Sequence, residues 1–322
     1  MTILLPPVKQ RLAAGWLVLV VLAGLFAPSA VSPPDLANIN QPPFQGGHWL
    51  GTTSQGLDVG VSLWQGARTL LLVSLPAAFF TLLAGAVLGG TAGYWGNTRL
   101  RITHFQLALA LFALLLTGLL LTYFPRFAFW ILAGVPAAAA VAWAFLPGST
   151  RSATRLALPL DSSILGLIAL VNSVPLLVLV VAAAAVQRPS LTGVVALLSA
   201  TCWPTPARLM RAATLQCRTQ PYVEAAQAAG IPSLRILWRH IGPNALPVLL
   251  VRFPLTVAVL ISLETTLSFL GVGLPAEMPS WGRLLAAVRQ APPDWWLILW
   301  PGLAITLTVL SLQRISGSEN RR

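Results

Sequence analysis

Runs of about twenty apolar residues, broken by few charges, recur along this chain and constrain it more than any other feature. A bilayer hydrocarbon core is about 30 Å thick and takes about 20 such residues per helix. No water is available there to satisfy an open backbone, so each run must close its own hydrogen bonds as a helix. The runs lie near Leu12 to Val31, Thr69 to Tyr94, Phe105 to Phe124, Phe127 to Leu146, Ser162 to Val186, Leu191 to Met210, Val248 to Val272 and Trp295 to Ile315. Barrel strands would alternate apolar and polar residues, and that alternation is missing. The chain therefore reads as an all-α integral membrane protein with about eight transmembrane helices. Its 56 % hydrophobic and 9 % charged residues agree, since charged residues make up about a quarter of a soluble domain.

A net charge of +12 raises the question of nucleic acid, but the arginines sit between apolar runs rather than on one solvated face. They report topology. With the N terminus inside, Lys9, Arg11, Arg99, Arg101, Arg151, Arg155, Arg208, Arg211, Arg218, Arg235, Arg239, Arg252, Arg314, Arg321 and Arg322 fall on the cytoplasmic side. Only Arg68, Arg126, Arg188, Arg283 and Arg289 fall outside. The positive-inside rule then places both termini in the cytoplasm. The first run reads as a retained anchor, residues 1–31, because Ala27-Pro28-Ser29 is a poor cleavage site. Cys202 falls within a span and Cys217 in a cytoplasmic segment, so no disulfide is expected. His48, His104 and His240 are scattered and have no metal-site spacing.

Residues 32–66 are rich in Pro, Gly, Asn and Gln and read as an external loop. Residues 67–322 follow as the main membrane domain, with an apolar hairpin at 104–147 and a cytoplasmic segment at 215–246. Within that segment Thr219 is a plausible N-cap, and Pro221 suits the first turn, where a missing N–H costs nothing. Glu224 lies early, where the helix dipole favours negative charge. Gly230 suits a positive-φ ending, and Pro232 prevents continuation. A helix of about two turns is too short to be stable alone, so something should hold it. Ala225, Ala226, Ala228 and Ala229 give it a smooth surface, with Tyr222 and Val223 as larger anchors for a partner's groove. Leu234, Ile236, Leu237 and Trp238, set among Arg235, Arg239 and His240, read as an amphipathic helix at the membrane surface.

EAAQAAG at Glu224 to Gly230, followed by RHIGPN at Arg239 to Asn244, resembles the signature of permease subunits of binding-protein-dependent ABC importers. The spacing looks like the second, DppC-like permease of the dipeptide, oligopeptide and nickel branch. HWLGTTSQGLDVGVSLWQGARTLLL at His48 to Leu72, ETTLSFLGVGLPAEMPSWGRLL at Glu264 to Leu285 and WPGLAITLTVLSL at Trp300 to Leu312 are similar to further blocks of that branch. Thr53 and Leu57 depart from it, standing where aspartate and arginine are common. The resemblance implies a type I ABC importer transmembrane domain, here a six-helix core with the hairpin added.

It also implies an ATPase-docking coupling helix formed by Tyr222, Val223, Glu224, Ala225, Ala226, Ala229 and Gly230. Docking of an external solute-binding protein would involve His48, Asp58, Pro279 and Trp281. The implied assembly holds a second homologous permease subunit, two ATP-binding subunits or domains and the solute-binding protein, in the bacterial cytoplasmic (inner) membrane. Cargo would be peptides or related small solutes such as nickel chelates. ATP and magnesium would bind the partners, with no cofactor, metal or catalytic residue in this chain. A P-loop needs a lysine after a glycine-rich turn, and the lone lysine here, Lys9, has no such turn before it. The rival reading, an ion-coupled secondary transporter, requires ionisable groups at mid-membrane, where only Asp161 and Glu264 are candidates. A membrane-embedded enzyme would need a converging nucleophile and base or a metal cluster, and no such set appears.

Overall fold

In the computed structural model, residues 8–28, 33–98, 101–103, 116, 155–186 and 189–319 are described. The hairpin expected at 104–147 lies outside these residues apart from Leu116. Packing divides the chain into a unit of residues 1–94 with 166–322 and a unit of residues 95–165.

The larger unit is helical. Helix α1 (Val8–Phe26) is followed by a loop and then by α2 (Val59–Trp95), whose 37 residues extend about 56 Å. Next come α3 (Leu160–Ser173), α4 (Leu176–Val186), α5 (Leu191–Cys202) and α6 (Pro204–Arg218). Short helix α7 (Pro221–Ala228) leads to α8 (Ser233–Ile236), a π turn at Leu237–Ile241 and α9 (Gly242–Phe269). Helices α10 (Trp281–Ala287) and α11 (Trp296–Glu319) end the described chain. Among the described residues four helical stretches are long and apolar enough to cross a membrane: α1, α2, α8 to α9, and α11. The bent pair α3 and α4 makes a fifth candidate.

Two expected spans are each broken in two. The run from Ser162 to Val186 turns by 81° between α3 and α4, at Pro175, which has no N–H to continue the ladder. The run from Leu191 to Met210 divides at Trp203, where Pro204 opens α6.

Close packing follows from small residues. Gly85, Gly89 and Gly93 recur every four residues along one face of α2 and meet α6 backbone to backbone. A Cβ at Gly93 would stand 2.8 Å from the Arg211 carbonyl oxygen, and one at Gly89 would collide with the carbonyl of Ala207. Helices without a hydrophobic drive between them associate through such surfaces. Leu70, Val73, Ala77, Leu198, Leu260 and Ile261 fill the adjoining core. Helix α1 lies along α11, and Trp16 Nε1 donates to Thr308 Oγ1 at 3.0 Å. Leu19, Leu22, Leu25 and Phe26 stay exposed on α1, as suits a helix in lipid.

In the smaller unit, strands β1 (Arg101–Thr103) and β2 (Arg155–Ala157) pair antiparallel, with Ile102 opposite Leu156. Within this unit Asn97 binds Ser162, its amide donating to Ser162 Oγ and its carbonyl oxygen accepting from the Ser162 N–H, both at 2.9 Å.

Candidate functional site

The short helix α7 is held by its ends and by one buried face. Its N-cap is Gln220, which makes no side-chain cap bond. Thr219, the residue expected in that role, instead closes the preceding helix, its hydroxyl donating to the Gln216 carbonyl at 3.0 Å. Pro221 occupies the first turn as expected. At the other end Gly230 has φ +72°. The Gly230 N–H donates to the Gln227 carbonyl at 3.0 Å, and the Ile231 N–H to the Ala226 carbonyl at 3.1 Å. That pair of bonds is a complete Schellman cap, which satisfies carbonyls the helix leaves open.

The faces correct one expectation. Val223 is fully buried and Ala226 nearly so, so they pin the helix to its own chain rather than meet a partner. Glu224, Ala225, Ala228, Ala229 and Gly230 are exposed, and Tyr222 is half-exposed. Together they form a smooth outward surface of small residues with one carboxylate and one phenol.

Two links join this helix to the spans, and both escaped the sequence reading. Asn244, in the first turn of α9, donates its amide to the Tyr222 hydroxyl at 3.3 Å and to the His240 carbonyl at 2.7 Å. Arg218, just before the helix, donates to the carbonyls of Gly93 and Tyr94 at 3.2 Å each, placing a cation on the C-terminal end of α2. Asparagine and arginine among many loop residues carry no spacing signal that would have revealed either link. The expected amphipathic surface helix is also different: Ile236, Leu237 and Ile241 are buried, and the π turn carries the chain directly into α9. Leu234 and Trp238 remain exposed.

At the opposite end of α2, residues 33–58 form an ordered loop. Asp58 does two things there. Its Oδ1 accepts from the Val61 N–H at 2.9 Å, capping α2, and its Oδ2 lies 2.6 Å from His48 Nδ1. His48 Nε2 stands 3.5 Å from Asp35 Oδ2, and Asn38, donating to Asp35 at 2.8 Å, holds that carboxyl below its usual range. Thr52 bonds Gln41 and Asn38, Thr53 Oγ1 accepts from the Leu57 N–H at 3.1 Å, and Trp296 Nε1 donates to the Thr52 carbonyl at 3.1 Å. Thr53 and Leu57, the departures from the resemblance, thus meet each other within one turn.

Hydrogen bonding to Asp58 raises the pKa of His48. A raised folded-state pKa gives stability that is complete below the ordinary histidine value of about 6.5 and is lost as pH rises through the folded value. The loop is therefore expected to open more readily at pH 8.5 than at pH 6. Amide protection factors over residues 33–58, with the base-catalysed rise in intrinsic exchange divided out, should be lower at the higher pH, and His48→Gln should abolish that difference.

The four residues expected to receive an external partner all bond within the chain. Trp281 is 4 % exposed, and its Nε1 donates to the Leu63 carbonyl at 2.8 Å. The Pro279 carbonyl accepts from Thr69 Oγ1 at 2.7 Å, while His48 and Asp58 brace the loop. The large apolar side chains exposed on this loop are Leu36, Ile39, Phe44 and Trp49. A cleft of about 440 Å³ nearby is lined by Ser54, Gln55, Glu277, Arg283 and Gln290. Glu264, the candidate relay group, is buried and accepts from Ser268 Oγ at 2.7 Å, a packed polar contact within one helix.

Comparison with known proteins gives a match over residues 134–316 to the family model described as binding-protein-dependent transport system inner membrane component. The chain is 42 % identical over 142 residues to a putative peptide transport system permease protein of Brucella suis, a match covering 44 % of this chain and 48 % of that relative. It therefore spans about half that relative's length. It is 28 % identical over 301 residues to the oligopeptide transport system permease protein OppC of Bacillus subtilis, covering 91 % of this chain and 77 % of the relative. A glutathione transport system permease protein, GsiD of Pectobacterium atrosepticum, is 28 % identical over 309 residues, covering 93 % and 81 % respectively.

Proposed function

Because this chain belongs to the family of binding-protein-dependent transport system inner membrane components, we propose that it is one of two permease subunits of an ATP-driven ABC importer, carrying peptides or related small solutes inward. Its helices form a type I importer membrane domain, and it is a multi-pass membrane protein of the bacterial inner membrane type. The observation that carries the reading is α7: a two-turn helix, capped at its end and anchored inward by Val223 and Ala226, with Glu224 and a row of alanines facing out. A surface so small and smooth fits a cleft in a separate protein.

The division of labour rests on the family to which the chain belongs. ATP and its magnesium belong to two partner ATPase subunits, which would grip the exposed face of α7. Closure of those subunits on ATP would move α7, and the Tyr222–Asn244 bond and the π turn would pass that motion into α9. Two such permeases moving together would exchange an inward-open path for an outward-open one, a shift between two populated states driven by differential binding. An external solute-binding protein would deliver cargo to the loop face, where the free apolar groups Phe44 and Trp49 stand. Both termini would lie in the cytoplasm.

The test is gentle purification of the tagged chain from its native membrane, with mass spectrometry and ATPase assay of the same sample. A second permease and P-loop ATPases are expected to co-elute with activity sensitive to vanadate. A chain that elutes alone and transports in response to a proton or sodium gradient would overturn the proposal.

A further inference from the structure

Both broken spans open onto one cavity. It measures about 280 Å³ and is lined by the α3–α4 break at Asn172 to Leu176, the α5–α6 break at Thr201 to Pro206, and one face of α9 carrying Arg252, Thr256 and Val259. Its depth can be counted along the helices. Helix α5 starts beside Gly273, just past the end of α9, since the Ser190 N–H donates to the Gly273 carbonyl at 3.0 Å. It runs 12 residues, about 18 Å, before it breaks. Helix α3 runs 14 residues, about 21 Å, to its own break. Both breaks therefore lie well inside a hydrocarbon layer about 30 Å thick.

Three polar side chains on this cavity have no bonding partner among the described residues: the Asn172 amide, the Thr205 hydroxyl and the Arg252 guanidinium. All three are exposed in the chain alone. Arg252 lies within the continuous helical stretch Ser233–Phe269, about 26 Å before its outer end, which is toward the cytoplasmic side of a layer about 30 Å thick. A guanidinium on the wall of such a cavity, with no partner among the described residues, marks a water-filled path or a ligand. Interrupted backbone is tolerated at that depth only where it is buried in protein or lines a cavity. The planar guanidinium fork matches a carboxylate in two parallel bonds. Asn172 and Thr205 add one amide and one hydroxyl, suited to the N–H and C=O groups of a peptide.

We propose that this cavity is a transient substrate site inside the membrane, in which Arg252 holds the free C-terminal carboxylate of a short peptide in transit. The inference rests on the peptide-importer reading above and adds the group on the substrate that the membrane path recognises. Its position at two helix breaks suits a site that must form and release, since each break lets half a span move without unfolding the other half.

The experiment uses the assembled importer without its binding protein, with Cys202→Ala and Cys217→Ala and with Val259→Cys as reporter on the cavity wall. Alanine peptides of two to four residues, at millimolar concentration, are expected to slow maleimide labelling at position 259 at least threefold. Their C-terminal amides should not. Arg252→Gln should abolish the protection and Arg252→Lys retain part of it, with assembly checked for each by size-exclusion chromatography. Protection that is absent, equal for the amides, or unchanged in Arg252→Gln overturns the site, as does loss of assembly in Arg252→Gln, which would assign the arginine to a subunit contact. Uptake of the same peptides by the unmodified importer with its binding protein is measured alongside. Uptake without protection removes the site and leaves the importer reading standing, whereas absence of uptake removes the peptide reading and the site with it.

Discussion

Gly89→Leu is expected to reduce the amount of folded chain recoverable from membranes at least tenfold, read as the monodisperse peak in fluorescence-detected size-exclusion chromatography. The reason is the kind of atom that a side chain would meet. At Gly89 it meets the backbone carbonyl of Ala207, at Gly93 the carbonyl of Arg211 and at Gly85 the ring of Pro206. A flexible side chain would swing aside, but a helix backbone must move as a unit. Overpacking typically costs about 1–3 kcal/mol, and with three successive glycines in one seam, parting the helices at Gly89 also opens the contacts at Gly85 and Gly93. About 1.4 kcal/mol is a factor of ten in a folding equilibrium, so a tenfold loss of folded chain follows when the summed cost of opening the seam exceeds the chain's own stability margin by that amount. Gly15→Leu is the control, because nothing lies within 4 Å of a Cβ built there. A Gly89→Leu peak equal to the wild type would show that α2 and α6 do not pack as described.

Gly230→Val is expected to leave the chain inserted and assembled but to lower substrate-stimulated ATP hydrolysis by at least tenfold in the reconstituted importer. The backbone at Gly230 is left-handed, a conformation that costs an ordinary L-residue about 1–2 kcal/mol and a β-branched one more. Space is not the issue, since nothing lies within 4 Å. Losing the Schellman cap should unwind the last turn of an eight-residue helix that has little stability of its own. Gly230→Asn separates two roles, because asparagine tolerates positive φ. If Asn restores coupling, the glycine matters for its backbone. If Asn fails as badly as Val while the chain stays assembled, the partner surface requires a bare α carbon. Full activity in Gly230→Val would remove α7 from the coupling path.

The membrane class was legible because a hydrocarbon layer demands long apolar runs, and those runs can be counted. The end of α7 was legible too, since few residues other than glycine suit positive φ and proline cannot continue a helix. The breaks were not: an apolar run carries no record of an 81° turn. The outward assignment of Val223 and Ala226 failed because a helix of two turns has too few residues to show which side is apolar. The burial of Trp281 could not be read because it depends on Gly66 of α2, more than two hundred residues away, whose missing side chain makes room for the indole. Arg252 was counted as a topological charge, and its place on a cavity wall with Asn172 and Thr205 appears only once the helices are packed.

The π turn at Leu237–Ile241 makes α8 and α9 one continuous helical stretch of 37 residues, about 56 Å long, from the foot beside α7 to the far tip at Phe269. Such a rod works as a lever: a tilt of about 10° around its middle carries each end roughly 5 Å in opposite directions. A π turn also packs an extra residue into the winding, so it sets the angular phase between the two parts of the rod. Deleting one residue there would leave every contact surface chemically intact and turn the foot by about 100° relative to the tip. The foot would then push in the wrong direction.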